Sequence, residues 1–124
     1  MSKLPKDDLA GYFHSYAVEM GLGTDDPAEV LDRYHTRDLL YVSDGVEMDR
    51  ERLVAHASPA RRNALAVQVD VHDALVAGDR VAARYTLTAE VRKRGELVIN
   101  VHMFGQLSVD GRLQRIDQLT HTVG

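Results

Sequence analysis

From Leu65 to the end of the chain, apolar residues recur at every second position, interrupted only by "AGDR", "KRGE" and "VDGR". Side chains alternate between the two faces of a strand, and short glycine-containing breaks between alternating runs are hairpin turns. The pattern therefore predicts four strands joined as an antiparallel meander, which leaves the first half of the chain to cover its apolar face. In the second strand Val81, Ala83, Tyr85, Leu87, Ala89 and Val91 share one face, with Arg80, Arg84, Thr86, Thr88, Glu90 and Arg92 on the other. The third strand puts Leu97, Ile99, Val101, Met103, Leu107 and Val109 on its apolar face.

The covering elements read as helices. Leu9, Tyr12, Phe13, Tyr16, Ala17 and Met20 fall at helical spacing, with Asp7 and Asp8 at the favourable N-terminal end and Gly21 and Gly23 after the last turn. A short second helix opens on Asp26 as N-cap, with Pro27 at the first helical position, and buries Val30, Leu31 and Tyr34; Glu29 can reach back to the cap as in a capping box. "DLLYVSDG" reads as a short strand closed by Asp44-Gly45. Asp49 caps a third helix to about Ala64, with Leu53, Val54, Ala57 and Ala60 inward. Pro59 removes a hydrogen bond inside that helix and predicts a break or kink around Ser58. The expectation is one α+β domain over residues 1–124.

At 124 residues the chain can bury roughly two-thirds of its unfolded surface, enough for a real core. Its 15 basic against 19 acidic residues give a formal charge of −4, which argues against nucleic acid or an anionic membrane as partner and fits a small or neutral ligand better. With no cysteine there can be no disulfide or thiolate metal site. The opening "MSKLPKDDL" is not followed by an apolar run, and no stretch is apolar enough to span a bilayer, so a soluble cytoplasmic protein is expected. The six histidines, at 14, 35, 56, 72, 102 and 121, show no metal-binding spacing, and no glycine-rich phosphate loop occurs; neither a metal nor a cofactor is expected.

The last strand, "LQRIDQLTH", carries Arg115, Asp117 and His121 on one face, so its register decides whether charges look inward. At Gly95 a three-residue loop pairing Arg92 with Glu96 aligns the apolar faces of the second and third strands. The same loop at Gly111 pairs Ser108 with Arg112, sets Leu113 against Leu107 and Asp117 against Met103, and turns Asp117 inward. The competing two-residue turn at Asp110-Gly111 sends Ile116, Gln118, Thr120 and Thr122 inward, a face with one apolar residue instead of three. An inward carboxylate in apolar surroundings loses hydration, which raises its pKa, while a neighbouring cation lowers it again. Balanced between the two, it could remove a proton next to a carbonyl. The competing reading is that Arg115 and Asp117 simply pair at the rim or in a subunit contact.

Four stretches in order, "FHSYAVEMG", "YHTRDLLYVSDGVEMDRERLVAH", "HDALVAGDRVAARYTL" and "VDGRLQRI", resemble the SnoaL-like polyketide cyclase and ketosteroid-isomerase branch of the nuclear-transport-factor-two-like superfamily over nearly the whole chain. The resemblance implies a cone-shaped barrel of strongly curved antiparallel sheet wrapped on three N-terminal helices. It implies cofactor-independent acid/base cyclisation or isomerisation of a hydrophobic carbonyl or polyketide-type substrate, or else a non-catalytic ligand-binding or dimerisation module. Tyr16 matches the family's hydrogen-bond donor, and Ser43 or Asp44 falls at its base position. Met103 stands where the second, acidic donor belongs, and a thioether cannot donate. The implied site is therefore Asp117 as acid/base, Tyr16 as donor and Asp44 as second carboxylate, with Tyr12, Leu53, Tyr85, Met103, Arg115 and His121 around the pocket. A homodimer through the outer sheet face, which carries Val98, Asn100, His102, Phe104 and Gln106, is also implied.

Overall fold

Three aspartates start the three helices of the computed structural model, which describes residues 3–123 of the chain and leaves Met1, Ser2 and Gly124 outside the description. The Asp8 carboxylate accepts the Gly11 N–H at 2.9 Å and opens α1 (Leu9–Leu22). Asp26 accepts from Ala28 at 2.9 Å ahead of α2 (Pro27–Tyr34), and Asp49 accepts from Arg52 at 3.0 Å ahead of α3 (Arg50–Asn63). Each cap satisfies an N–H that the helix itself cannot. No reciprocal bond from Glu29 is formed among the described residues. The break expected at Pro59 does not occur: α3 stays helical to Asn63. Pro59 and Ala55, whose carbonyl loses its partner, are both exposed, so solvent can take that acceptor, and the Asn63 amide donates to the Pro59 carbonyl at 3.0 Å to hold the last turn.

The strands are β1 (His35–Ser43), β2 (Val46–Met48), β3 (Ala64–Ala77), β4 (Arg80–Val91), β5 (Gly95–Leu107) and β6 (Leu113–Val123). They form one sheet in the order β2-β1-β6-β5-β4-β3. The last four are the expected meander. The strand before α3 is longer than expected, folds back on β2 through Asp44-Gly45 at φ 52 and 82, and runs parallel to β6, so the sheet is mixed. Positive φ at both turn residues is the type I′ geometry that suits the right-handed twist of a hairpin. The sheet curls around the helices but does not close, with β2 and β3 as its edges. Its closed end is packed by Leu31, Tyr34, Leu113 and Met103, all nearly inaccessible. No helix among the described residues is long and apolar enough to cross a membrane.

Two registers differ from expectation. At the β4–β5 hairpin Val91 opposes Gly95 and Glu90 opposes Glu96, so the three-residue loop sits one residue earlier. The Arg92 N–H is drawn away from the ladder by the Asn63 carbonyl at the end of α3, 2.7 Å away, and Lys93 takes a left-handed φ of 69. Face alignment survives, because the shift in pairing is even: Tyr85 opposes Val101 instead of Met103, and both remain on the inner side.

At the β5–β6 corner the expected turn forms, with Ser108 N–H on the Arg112 carbonyl at 2.7 Å and Leu113 opposite Leu107. The pairing then jumps to Arg115 opposite Gln106, leaving Gln114 as a β-bulge. Every later residue of β6 changes face. Ile116, Gln118 and Thr120 look inward, and Asp117 opposes the exposed Phe104 rather than Met103. The bulge lets Leu113 and Ile116, three positions apart, both enter the core, at 0% and 3% exposure.

Candidate functional site

The core does not fill the cone. Between α1, α3 and the inner face of β3–β6 lies a cavity of about 690 Å³, in the range that takes a drug-sized ligand. Its deep end is formed by Tyr12, Tyr16, Tyr41, Met103 and Ile116, and its mouth by His56, Asn63, Arg94 and Leu97. Between them the walls are mostly aliphatic, from Val67 and Val69 on β3 to Leu87, Ile99 and Val101. No aspartate or glutamate is among the described lining residues.

The polar groups inside are chiefly phenols. Tyr16 on α1, Tyr41 on β1 and Tyr85 on β4 come from elements distant in sequence but feel one another electrostatically, so their hydroxyls share one region. Burial, reinforced by Tyr41, holds the Tyr16 and Tyr85 hydroxyls above the ordinary phenol value. Burial pushes Tyr41 up to about 12, against a hydrogen bond from Gln118 that pulls it down. All three are therefore neutral donors at physiological pH. Among the described residues the Tyr16 and Tyr85 hydroxyls have no hydrogen-bond partner, yet no described buried side-chain polar atom is left unsatisfied, so both hydroxyls open onto the cavity. Gln118 also donates to the Ser43 hydroxyl at 3.2 Å, which fixes the amide in the wall.

Behind this cluster Tyr12 and His35 form a buried pair. His35 Nδ1 lies 2.8 Å from the Leu31 carbonyl, which can only accept, so Nδ1 carries the proton and Nε2 accepts the Tyr12 hydroxyl at 2.7 Å. Burial pulls His35 down to about 4, against smaller opposing effects of Leu31 and Asp32. The imidazole is therefore neutral and a poor base. Its role is to hold the Tyr12 ring, which stacks on Tyr16 at 5.7 Å between centroids and sets the plane of that donor.

No family model matches this chain, and no curated protein matches its sequence. Solved structures do match. A conserved protein from Planctomyces limnophilus DSM 3776 aligns at a TM-score of 0.67 and 19% identity, over 94% of this chain and 98% of that one. A protein with ketosteroid isomerase-like fold from Catenulispora acidiphila DSM 44928, in complex with trimethylamine, aligns at 0.63 and 15%, over 86% and 80%. A protein described as a SnoaL-like polyketide cyclase from Jannaschia sp. CCS1 aligns at 0.59 and 18%, over 88% and 86%. The fold is nuclear-transport-factor-two-like.

Within this nuclear-transport-factor-two-like cone the residues singled out in the sequence separate. Tyr16, Tyr12, Tyr85 and Met103 line the cavity. Leu53 packs against the core but not on the cavity wall. The inward placement of Asp117, Arg115 and His121 is overturned by the Gln114 bulge. Asp117 and Arg115 pair with each other at 2.8 Å on the outer face, with side chains about half exposed, and His121 is exposed beside them. Asp44 sits in the β1–β2 turn outside the cavity, accepting the Thr120 N–H at 2.8 Å and hydroxyl at 2.5 Å; those bonds hold its carboxyl below the usual range. The inward residue at the end of β1 is Ser43, two positions beyond Tyr41. Tyr41, Gln118, Thr120, His56 and Arg94 were not anticipated. Tyr41 shares the side of Leu39, as alternation along β1 dictates, whereas Gln118 and Thr120 follow only from the bulge.

Proposed function

We propose that the protein binds a hydrophobic small molecule through a carbonyl-type oxygen, with Tyr16 and Tyr85 as donors. The reading is carried by one observation: two unpartnered phenol hydroxyls open onto a largely apolar cavity whose described wall holds no carboxylate. A ligand acceptor would satisfy both donors where water is poorly accommodated, and each such bond is worth on the order of 1 kcal/mol. The expected result is that acetonaphthone binds more tightly than ethylnaphthalene, a hydrocarbon of similar shape. In calorimetry each of Tyr16→Phe and Tyr85→Phe should weaken the ketone about fivefold and leave the hydrocarbon unchanged. Equal binding of the two compounds by the unaltered protein would sink the reading.

A second reading is cofactor-independent isomerisation or cyclisation of the bound carbonyl compound, the class suggested by fold neighbours described as a SnoaL-like isomerase and cyclase. It is favoured by His56, an imidazole at the mouth of the same cavity. Histidine is the commonest general base, and a tyrosine pair is a competent stabiliser of an enolate oxygen. Deuterium exchange into the acetonaphthone methyl group, followed by NMR, separates the two. Exchange above the solvent rate that falls in His56→Gln supports catalysis, and its absence leaves binding alone.

The outer sheet face is the proposed subunit contact of a homodimer. Leu75, Phe104 and Leu119 are 68%, 65% and 68% exposed there, on adjoining cross-strand rows with Ala82 between the first two. The Arg84–Asp73 and Arg115–Asp117 pairs flank them. Phe104→Lys should convert a dimer to a monomer in light scattering; a monomer before substitution would refute the contact.

A further inference from the structure

The cavity mouth has a feature that carbonyl binding does not use. Arg94, the last residue of the β4–β5 loop, is exposed and borders the cavity, and among the described residues its guanidinium makes no hydrogen bond or ion pair. Partly buried arginines elsewhere in the fold do have partners: Arg61 donates to the carbonyls of Glu19, Met20 and Asp25, and Arg112 to those of Asp32 and His35. Arg94 is the one fully charged side chain on the described wall. The nearest acids in the hairpin, Glu90 and Glu96, oppose each other on the outer face, and neither lies within ion-pair distance of it. A lone cation beside low-dielectric walls, in a chain of net charge −4, creates a local positive potential directed at whatever enters.

We infer that the ligand is an elongated amphiphile with a carboxylate at the mouth, held by Arg94. This rests on the carbonyl-binding reading above, since the other end of the same molecule would meet Tyr16 and Tyr85. The strand geometry sets the length. Tyr85 and Val91 are six residues apart on β4, about 20 Å at roughly 3.3 Å per residue. The arginine and tyrosine side chains shorten the gap, so a medium-length chain or a few fused rings would bridge it. A single guanidinium, without a glycine-rich loop or second paired cation on the wall, fits the two-oxygen fork of a carboxylate.

The probes are dansylaminoundecanoic acid and its methyl ester, whose fluorescence rises in apolar surroundings. The unaltered protein should bind the acid about tenfold more tightly than the ester at low salt, and the gap should narrow as salt screens the half-open mouth. Arg94→Gln, on an exposed hairpin, should abolish the preference by weakening the acid alone. Arg92→Gln should preserve it, because Arg92 is not among the described lining residues and its side chain donates to the Arg62 carbonyl at 3.4 Å. Equal binding of acid and ester by the unaltered protein would overturn the carboxylate while leaving the cavity reading in place. Loss of preference in Arg92→Gln as well as Arg94→Gln would also overturn it, showing a diffuse field instead of a site. Failure of both probes to bind, together with indifference to acetonaphthone, would remove the cavity reading too.

Discussion

Ile116→Asp will lose about 4 kcal/mol or more of stability at pH 7, whereas Asp117→Ile, one residue along, will unfold at the same urea concentration as the unaltered protein. Ile116 is 3% exposed, opposite Gly105 and next to Tyr41 across the parallel β1–β6 ladder. A carboxylate there would be dehydrated with no cation in reach. Asp117 gives up only a solvated pair with Arg115, an arrangement that contributes little because water already screens it. Urea unfolding of the two variants reads the face of β6 directly. Had β6 kept the register expected from its turn, Asp117 would look inward and the two outcomes would exchange. Asp117→Ile should also leave acetonaphthone affinity unchanged, since no atom of Asp117 lines the cavity.

The helices and strands were legible because local chemistry specifies them. Asp8, Asp26 and Asp49 all cap helices, and the glycines at 45, 78, 95 and 111 all take positive φ at or beside turns. Even the Gly111 corner was read correctly, down to Leu113 opposite Leu107. What failed was the step after it. Counting apolar residues favoured the face of Leu113 and Leu119, but that face also carries Arg115, Asp117 and His121, and burying charges costs far more than exposing a leucine. Gln118 and Thr120 can be buried cheaply because Ser43 and Asp44 give them partners. The signal was the three-residue spacing of Leu113 and Ile116, which no regular strand can place on one side and a bulge can. The candidate carboxylates were thus misplaced by one inserted residue, while Tyr16, Tyr12, Tyr85 and Met103 followed from simple periodicity and line the cavity as expected.

The buried Tyr12–His35 pair makes stability depend on mild acid. His35 sits at about 4 in the folded protein, chiefly through burial, against an ordinary value of 6.5. As pH falls below about 6.5 the unfolded chain takes up a proton at this imidazole. The folded chain does not do so until about 4. The unfolded state therefore binds more protons throughout that window, and stability contributed by neutral His35 is complete above it and lost on the way down. The loss amounts to about 3 kcal/mol, a large share of what holds a domain of this size together. Urea titrations from pH 7 to pH 4 should show this slope, superposed on that of the carboxylates. His35→Asn keeps a donor for the Leu31 carbonyl but cannot titrate. It should start less stable at pH 7 and lose about 3 kcal/mol less across the window. Tyr12→Phe removes the hydroxyl but not the burial, and should keep most of the slope. An Asn variant as acid-sensitive as the unaltered protein would show that His35 takes up its proton as readily in the fold as in the unfolded chain. The imidazole would then not be held as a neutral acceptor for Tyr12, and the support it gives the Tyr16 ring would need another source.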